Sequence, residues 1–168
     1  NCWSLDVAGP LTWTCEDNAL VLRTIAGHDP RDPGSADRLV PDYLQGIGAG
    51  IAGMVIGVIR DLGPDAPSMQ PDTRANLEAM EAVLEDLGAR LVEISLPAPL
   101  SGYRQIVGAI NWGESYSIHE RDFLERADLM GKALRDKMTA GFTMRAVDYI
   151  AAQRRRRELA QSTDAVLS

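Results

Sequence analysis

Apolar and polar positions fall into helical and strand periods that divide most of the chain. Thr14-Cys15-Glu16-Asp17 reads as a helix start: Thr14 can cap, and the acidic residues suit the positive helix end. Leu20, Leu22, Ile25 and Ala26 follow as apolar positions, and Gly27 supplies a left-handed stop. Residues 28–50 form a long connection whose first part, His28 to Ser35, is dense in turn formers. Met54 to Ile59 is a nearly continuous apolar run, the pattern of a strand buried on both faces. Asp72 can cap a helix that runs to Leu87, with Leu77, Met80, Leu84 and Leu87 at helical spacing and Gly88 ending it. Arg90 to Leu96 then alternates, with Val92, Ile94 and Leu96 on one face and Glu93 and Ser95 on the other, until Pro97 closes the strand.

Strand, helix and strand at this spacing make a βαβ unit, which requires parallel strands and a right-handed crossover. Beyond residue 100 the chain turns helical. Ile106, Ile110 and Phe123 are expected on one face of a long helix. A second helix over about 143–166 is expected to set Met144, Val147, Ala151, Leu159 and Val166 along its apolar side. The fold class is therefore α/β, a βαβ unit with flanking helices, and the 168 residues contain no internal repeat.

Composition narrows the function classes. A net charge of -7 repels nucleic acid at long range, so a nucleic-acid partner is not expected. No apolar run reaches the roughly 20 residues of a membrane span, and no secretory leader opens the chain. Cys2 and Cys15 read as free thiols in a reducing compartment, which points to the cytoplasm. Two distant cysteines and two distant histidines, His28 and His119, are too few ligands for a zinc site, and no cofactor is implied.

Several local features resemble sites and carry blander readings. Gly48-Ala49-Gly50-Ile51-Ala52-Gly53 precedes a strand, whereas a phosphate-cradling loop follows one, so it reads as the entry to that strand. Arg154 to Arg157 fan around a helix and read as a solvated face with snorkelling stems. His28 has no nearby Ser or Cys to activate and reads as a turn residue; His119 reads as a surface residue. Glu114 and Glu120 face different sides of a helix and so cannot act as a carboxylate pair. Trp3, Trp13 and Trp112 read as packing residues.

Longer strings carry a family likeness. Trp3-Ser4-Leu5-Asp6, Gly9-Pro10 and Thr14-Cys15-Glu16-Asp17, then Ala26 to Asp32, resemble the segment that follows the catalytic serine region in amidase-signature enzymes. Ile56-Gly57-Val58, Leu87-Gly88-Ala89, Asp148-Tyr149 and Ala152-Gln153-Arg154-Arg155 continue the resemblance. It is strongest over the first forty positions and looser over about 98–135. It implies a partial amidase-signature fold, one incomplete domain over 1–168 truncated at both ends, within a larger mixed sheet. It also implies hydrolysis of small-molecule carboxylic amides without a metal. In that family a serine attacks the carbonyl, a second serine and a lysine relay the proton, and backbone amides hold the oxyanion.

The family's Gly-Gly-Ser-Ser-Gly string is absent here, and the only lysines are Lys132 and Lys137. No catalytic residue is therefore assigned within the chain; the resemblance places all three upstream of Asn1, and this piece is expected to be inactive alone. Asp6, before Gly9-Pro10, is implied as part of the loop backing the active site, with plain turn chemistry as the equal alternative. Members acting on amino-acid amides carry an arginine four residues before a glycine that matches Gly141; Lys137 occupies that place and keeps the charge without the bidentate fork. Asp6 and Lys137 are thus the expected substrate-binding residues. Self-association into a homo-oligomer is left open. Two rivals remain. One is the amidase component of a tRNA-dependent amidotransferase, against which the loose later match speaks. The other is a stand-alone non-enzymatic βαβ binding domain.

Overall fold

The computed structural model describes residues 2–168. In chain order the elements are α1 (Cys15–Ile25), β1 (Val55–Ile59), α2 (Pro71–Asp86), β2 (Arg90–Ile94), α3 (Leu100–Arg126), a 3-10 turn (Ala127–Leu129), α4 (Lys132–Phe142) and α5 (Ala146–Leu167). β1 and β2 pair in parallel, with Val55 opposite Arg90 and Ile59 opposite Ile94. The βαβ unit expected from the hydrophobic pattern is therefore present. The loop into β1 is a turn: the Met54 amide donates to the Ile51 carbonyl at 3.0 Å, and the Gly53 amide donates to the Gly88 carbonyl at 2.8 Å. The glycine-rich stretch before it is strand entry, as read from its position.

Local chemistry explains most boundaries and corrects some. Thr14 caps α1 by accepting from the Asp17 amide at 3.1 Å. α2 starts with Pro71 at its first position and Gln70 as the cap residue, so Asp72 lies inside the first turn and does not cap. Proline suits that place because its missing N–H is one the helix could not use. Gly88, at φ +90°, turns the chain from α2 into β2. β2 stops at Ile94, two residues short of the expected end, because only five residues of β1 are available to pair with it.

The core lies among the C-terminal helices. Ile106 and Ile110 of α3 meet Cys2, Ala152 and Leu159. Phe123 is not on that face: thirteen residues past Ile110 rotate it roughly 140° around the helix. It joins Tyr116 and Phe142 in a ring cluster with centroids 5.7–6.3 Å apart, against α4. On α5 the buried residues are Ala152 and Leu159, with Tyr149 packed beside them. Val147 and Val166, expected on the apolar side, are 54% and 39% exposed. Gly141 brings α4 against α3: a Cβ there would lie 2.4 Å from the Trp112 carbonyl oxygen and 2.5 Å from the Tyr116 Cβ.

Elsewhere large apolar side chains stand open. The apolar run of β1 predicts cover on both faces, yet Val55 is 53% exposed, because the sheet has two strands and α2 covers one side. Leu20, Val21 and Ile25 of α1 are also open. Trp3 and Trp13 do not pack as expected, at 75% and 99% exposure, because the described residues cover little of either; Trp112 is partly covered.

Candidate functional site

The most connected polar group is Glu114, at the middle of α3 and 7% exposed. Four donors converge on its carboxylate at hydrogen-bonding distance: the Cys2 thiol at 3.0 Å, the Ser4 amide at 2.8 Å, the Ser4 hydroxyl at 2.7 Å and the Tyr149 hydroxyl at 2.9 Å. Gln153 Nε2 approaches at 3.4 Å and also donates to the Tyr149 oxygen at 2.9 Å. The helical spacing of Tyr149 and Gln153, one turn apart on α5, is what puts both on this side of the bundle. Burial alone would raise the Glu114 pKa, but the donors from Cys2, Ser4 and Tyr149 outweigh it and hold the carboxyl at about 2. The reciprocal effect falls on Cys2. Burial first, then the hydrogen bond to Glu114, push its thiol up to about 11.

Glu114 ties down the segment that carries Asp6. Residues 2–6 form a tight turn in which the Leu5 and Asp6 amides both donate to the Cys2 carbonyl, at 3.3 and 2.9 Å. The Asp6 carboxylate accepts from the Cys2 amide at 2.8 Å, so turn chemistry at Asp6 is real. Arg156 completes the tie. Its guanidinium donates to the Ser4 hydroxyl at 2.9 Å and the Ser4 carbonyl at 2.8 Å. The basic run on α5 is thus not uniformly solvated, because one of its four arginines shares the core-facing stripe with Ala152 and Leu159, at steps of four and three residues.

Two recesses flank this knot. One, of about 310 Å³, is bounded by Cys2, Trp3, Asp6, Asp32 and Ile118. The other, of about 390 Å³, runs along Gly113, Glu114, Ser117, Gly141, Met144 and Tyr149. The Asp6 carboxyl is held below the usual carboxylate range by hydrogen bonding foremost, with the charge of Lys137 on α4 the smallest contribution. Lys137 is partly buried, one position before the fully buried Met138 on α4.

The remaining candidates fall outside this region. The His28 ring does have a serine near it: its Nδ1 is 3.1 Å from the Ser35 hydroxyl oxygen, seven residues on. That oxygen also accepts from the Asp29 amide at 2.8 Å, so both side chains fix the turn at 28–35 on the surface. His119 stands 3.8 Å from Asp122 one turn along α3. Glu114 and Glu120 do face different sides, one buried and one exposed. What sequence reading missed is Glu114 as a buried centre. A glutamate inside a long apolar-faced helix, one turn after Ile110, was the available signal. Among the described residues no three His, Cys, Asp or Glu are grouped as a metal would need, and no helix is long and apolar enough to cross a membrane.

Comparison with known proteins agrees with this architecture. An amidase of Pseudomonas putida is 36% identical over 156 residues, covering 90% of this chain and 32% of its own length. A glutamyl-tRNA(Gln) amidotransferase component of Rubrobacter xylanophilus is 44% identical over 94 residues, covering 56% of this chain and 19% of its own length. Among solved structures, an inhibitor-bound vestigial protein complex, described as revealing the evolutionary origins of an s-triazine catabolic enzyme, superposes with a TM-score of 0.79 at 28% identity. That match covers 94% of this chain and 33% of the other. The chain thus spans about a third of the length of the first of these relatives. The amidase family model matches residues 1–168, the length of the sequence, and the chain belongs to the amidase family.

Proposed function

We propose that the protein containing this chain hydrolyses the carbon–nitrogen bond of small carboxylic amides by serine–serine–lysine chemistry, and that these residues supply pocket wall rather than the reacting groups. The observation that carries the reading is the family match along the sequence, joined to likeness to an amidase over 90% of it. Within the pocket wall, Lys137 would pair with an anionic or polar substrate group, as a compact point charge without a fixed fork. Asp6 would hold the loop beside it. The open Trp3, Leu11, Trp13 and Leu39 side chains suit a segment whose apolar faces the rest of a longer polypeptide covers. On this reading 1–168 is one incomplete domain, inactive alone, working in the cytoplasm, where its thiols stay reduced. Self-association through the same open surface fits the reading as well.

The test is ammonia release from a panel of aliphatic, aromatic and amino-acid amides by the full-length protein. Turnover with a several-fold higher KM in Lys137→Ala, confined to acidic or amino-acid amides, is expected. A folded preparation that releases no ammonia from any amide refutes hydrolysis, and an unchanged KM in Lys137→Ala removes that residue from the pocket.

A second reading, an amidotransferase component that passes ammonia to a partner, is favoured by the 44% identity to one such protein. It is weakened because that match covers 56% of the chain where the amidase covers 90%. Ammonia release from glutamine that requires a co-purifying partner would select it.

A further inference from the structure

We infer that Glu114 is a positioning residue: it acts through Ser4 and Cys2 to hold the turn that carries Asp6 to the recess it shares with Trp3, Asp32 and Ile118, so that a buried carboxylate on α3 sets the shape of the amide pocket. The pocket part of this inference rests on the proposed function; the holding of the turn does not.

Trp3, Ser4 and Asp6 are exposed, so packing reaches the turn through Cys2 and the partly buried Leu5. Its internal bonds, Leu5 and Asp6 amides to the Cys2 carbonyl and Cys2 amide to the Asp6 carboxylate, close the turn on itself without attaching it to the bundle. Attachment comes from Cys2 and Leu5 packing against the cluster of Ile106 and Ile110, and from polar contacts at Ser4 and Cys2. Glu114 takes the Ser4 amide and hydroxyl on two different oxygens and the Cys2 thiol on one of them. Arg156 grips the far side of Ser4. These bonds are directional, and charge-assisted ones are roughly twice as strong as neutral ones. They therefore set the rotation of the turn about its apolar anchor, and that rotation decides where Asp6 lies relative to Asp32 and Ile118 across the recess. Gln in place of Glu has the same shape but turns one acceptor oxygen into an NH2 donor. With the NH2 on the Oε2 side it faces the Ser4 amide, a donor that cannot reverse; on the Oε1 side the Ser4 and Tyr149 hydroxyls must rotate to accept, and the charge-assisted bonds are lost either way.

The experiment compares wild type, Glu114→Gln, Ser4→Ala and Ser4→Thr in the full-length protein. Two readouts are used: hydrogen exchange of the amides at 4–6, and steady-state kinetics on the best amide of the panel. In Glu114→Gln and Ser4→Ala, exchange at 4–6 is expected to speed at least tenfold while the amides of α3 and α4 hold. KM is expected to rise at least fivefold with kcat within twofold, and Ser4→Thr, which keeps the hydroxyl, is expected to stay near wild type on both. Unchanged exchange at 4–6 overturns the inference outright. Faster exchange with KM unchanged overturns the pocket role and leaves Glu114 as a structural tie. If the folded wild type turns over no amide, the proposed function has failed by itself, and exchange at 4–6 still decides whether Glu114 holds the turn.

Discussion

Replacing Gly141 by alanine puts a methyl group where α3 already is. The new carbon would sit 2.4 Å from the Trp112 carbonyl oxygen, 2.5 Å from the Tyr116 Cβ and 3.2 Å from the Trp112 carbonyl carbon. Since carbon–carbon contacts settle at about 3.5–4.0 Å, relief needs roughly 1 Å of extra separation between α3 and α4. Two of the three obstacles are backbone atoms and the third is a Cβ, so no side chain can swing away. Such a shift would draw the fully buried Met138 from its socket and loosen the Tyr116–Phe142 contact. A gap of 0.5–1 Å forfeits about a quarter to a half of each dispersion contact, and overpacking of this kind costs about 1–3 kcal/mol. Against it stands a gain of up to about 1 kcal/mol for replacing a helical glycine, here the last residue but one of α4. The difference is a destabilisation of about 0–2 kcal/mol, and the upper end is expected because backbone must move.

Gly108→Ala is the internal control. It lies within α3, and its Cβ would meet only the Trp112 ring at 3.6 Å, an ordinary contact. The same chemical change there is expected to stabilise by up to about 1 kcal/mol. Denaturant unfolding of the full-length protein, with hydrogen exchange read at 132–142 to localise the effect, measures both. A neutral or stabilising Gly141→Ala, or two variants that shift in the same direction, would refute the close approach of α4 to α3.

Two further outcomes are expected. Glu114 is held at about 2 against an ordinary value near 4.5, so its ionised form is the one the fold favours. The sign follows: its contribution is complete above about pH 4.5 and drains away as pH falls toward 2, amounting to about 3 kcal/mol, and Glu114→Gln should lose that part of the acid dependence in a pH series of unfolding midpoints. Cys15 is exposed while Cys2 is 1% exposed with its thiol pushed up to about 11, so at pH 8 a thiol reagent should label the Cys15 peptide promptly and the Cys2 peptide only after unfolding. Equal labelling rates, read by mass spectrometry, would show that the turn at 2–6 does not stay docked.

The legibility of the chain tracks the range of the interactions involved. The cap at Thr14, the stop at Gly88, the alternation from Arg90 and the apolar run into Ile59 are settled within a few residues, and each lies where local chemistry puts it. Phe123 and the buried face of α5 depart from their expected places because a face assignment over a long helix accumulates rotation with every residue. The exposure of Trp3 and Trp13 runs against expectation because burial depends on what comes to cover a side chain, which composition cannot report.

By itself the sequence determined the parallel βαβ unit, the helical C-terminal half and, through ordered strings such as Trp3-Ser4-Leu5-Asp6 and Ala26-Gly27-His28-Asp29, the family to which the chain belongs. These rest on short-range periods and on motifs whose order survives in one dimension. Only the tertiary structure decided that Glu114 is the centre of the candidate site, because its partners lie 110 residues before it and 35 after it. A glutamate on a helix has the same local signature whether it faces water or four donors. The difference comes from α3 and α5 packing through Ile106, Ile110, Ala152 and Leu159, which brings Tyr149 and the first turn of the chain to one carboxylate and leaves it too little water to be satisfied any other way.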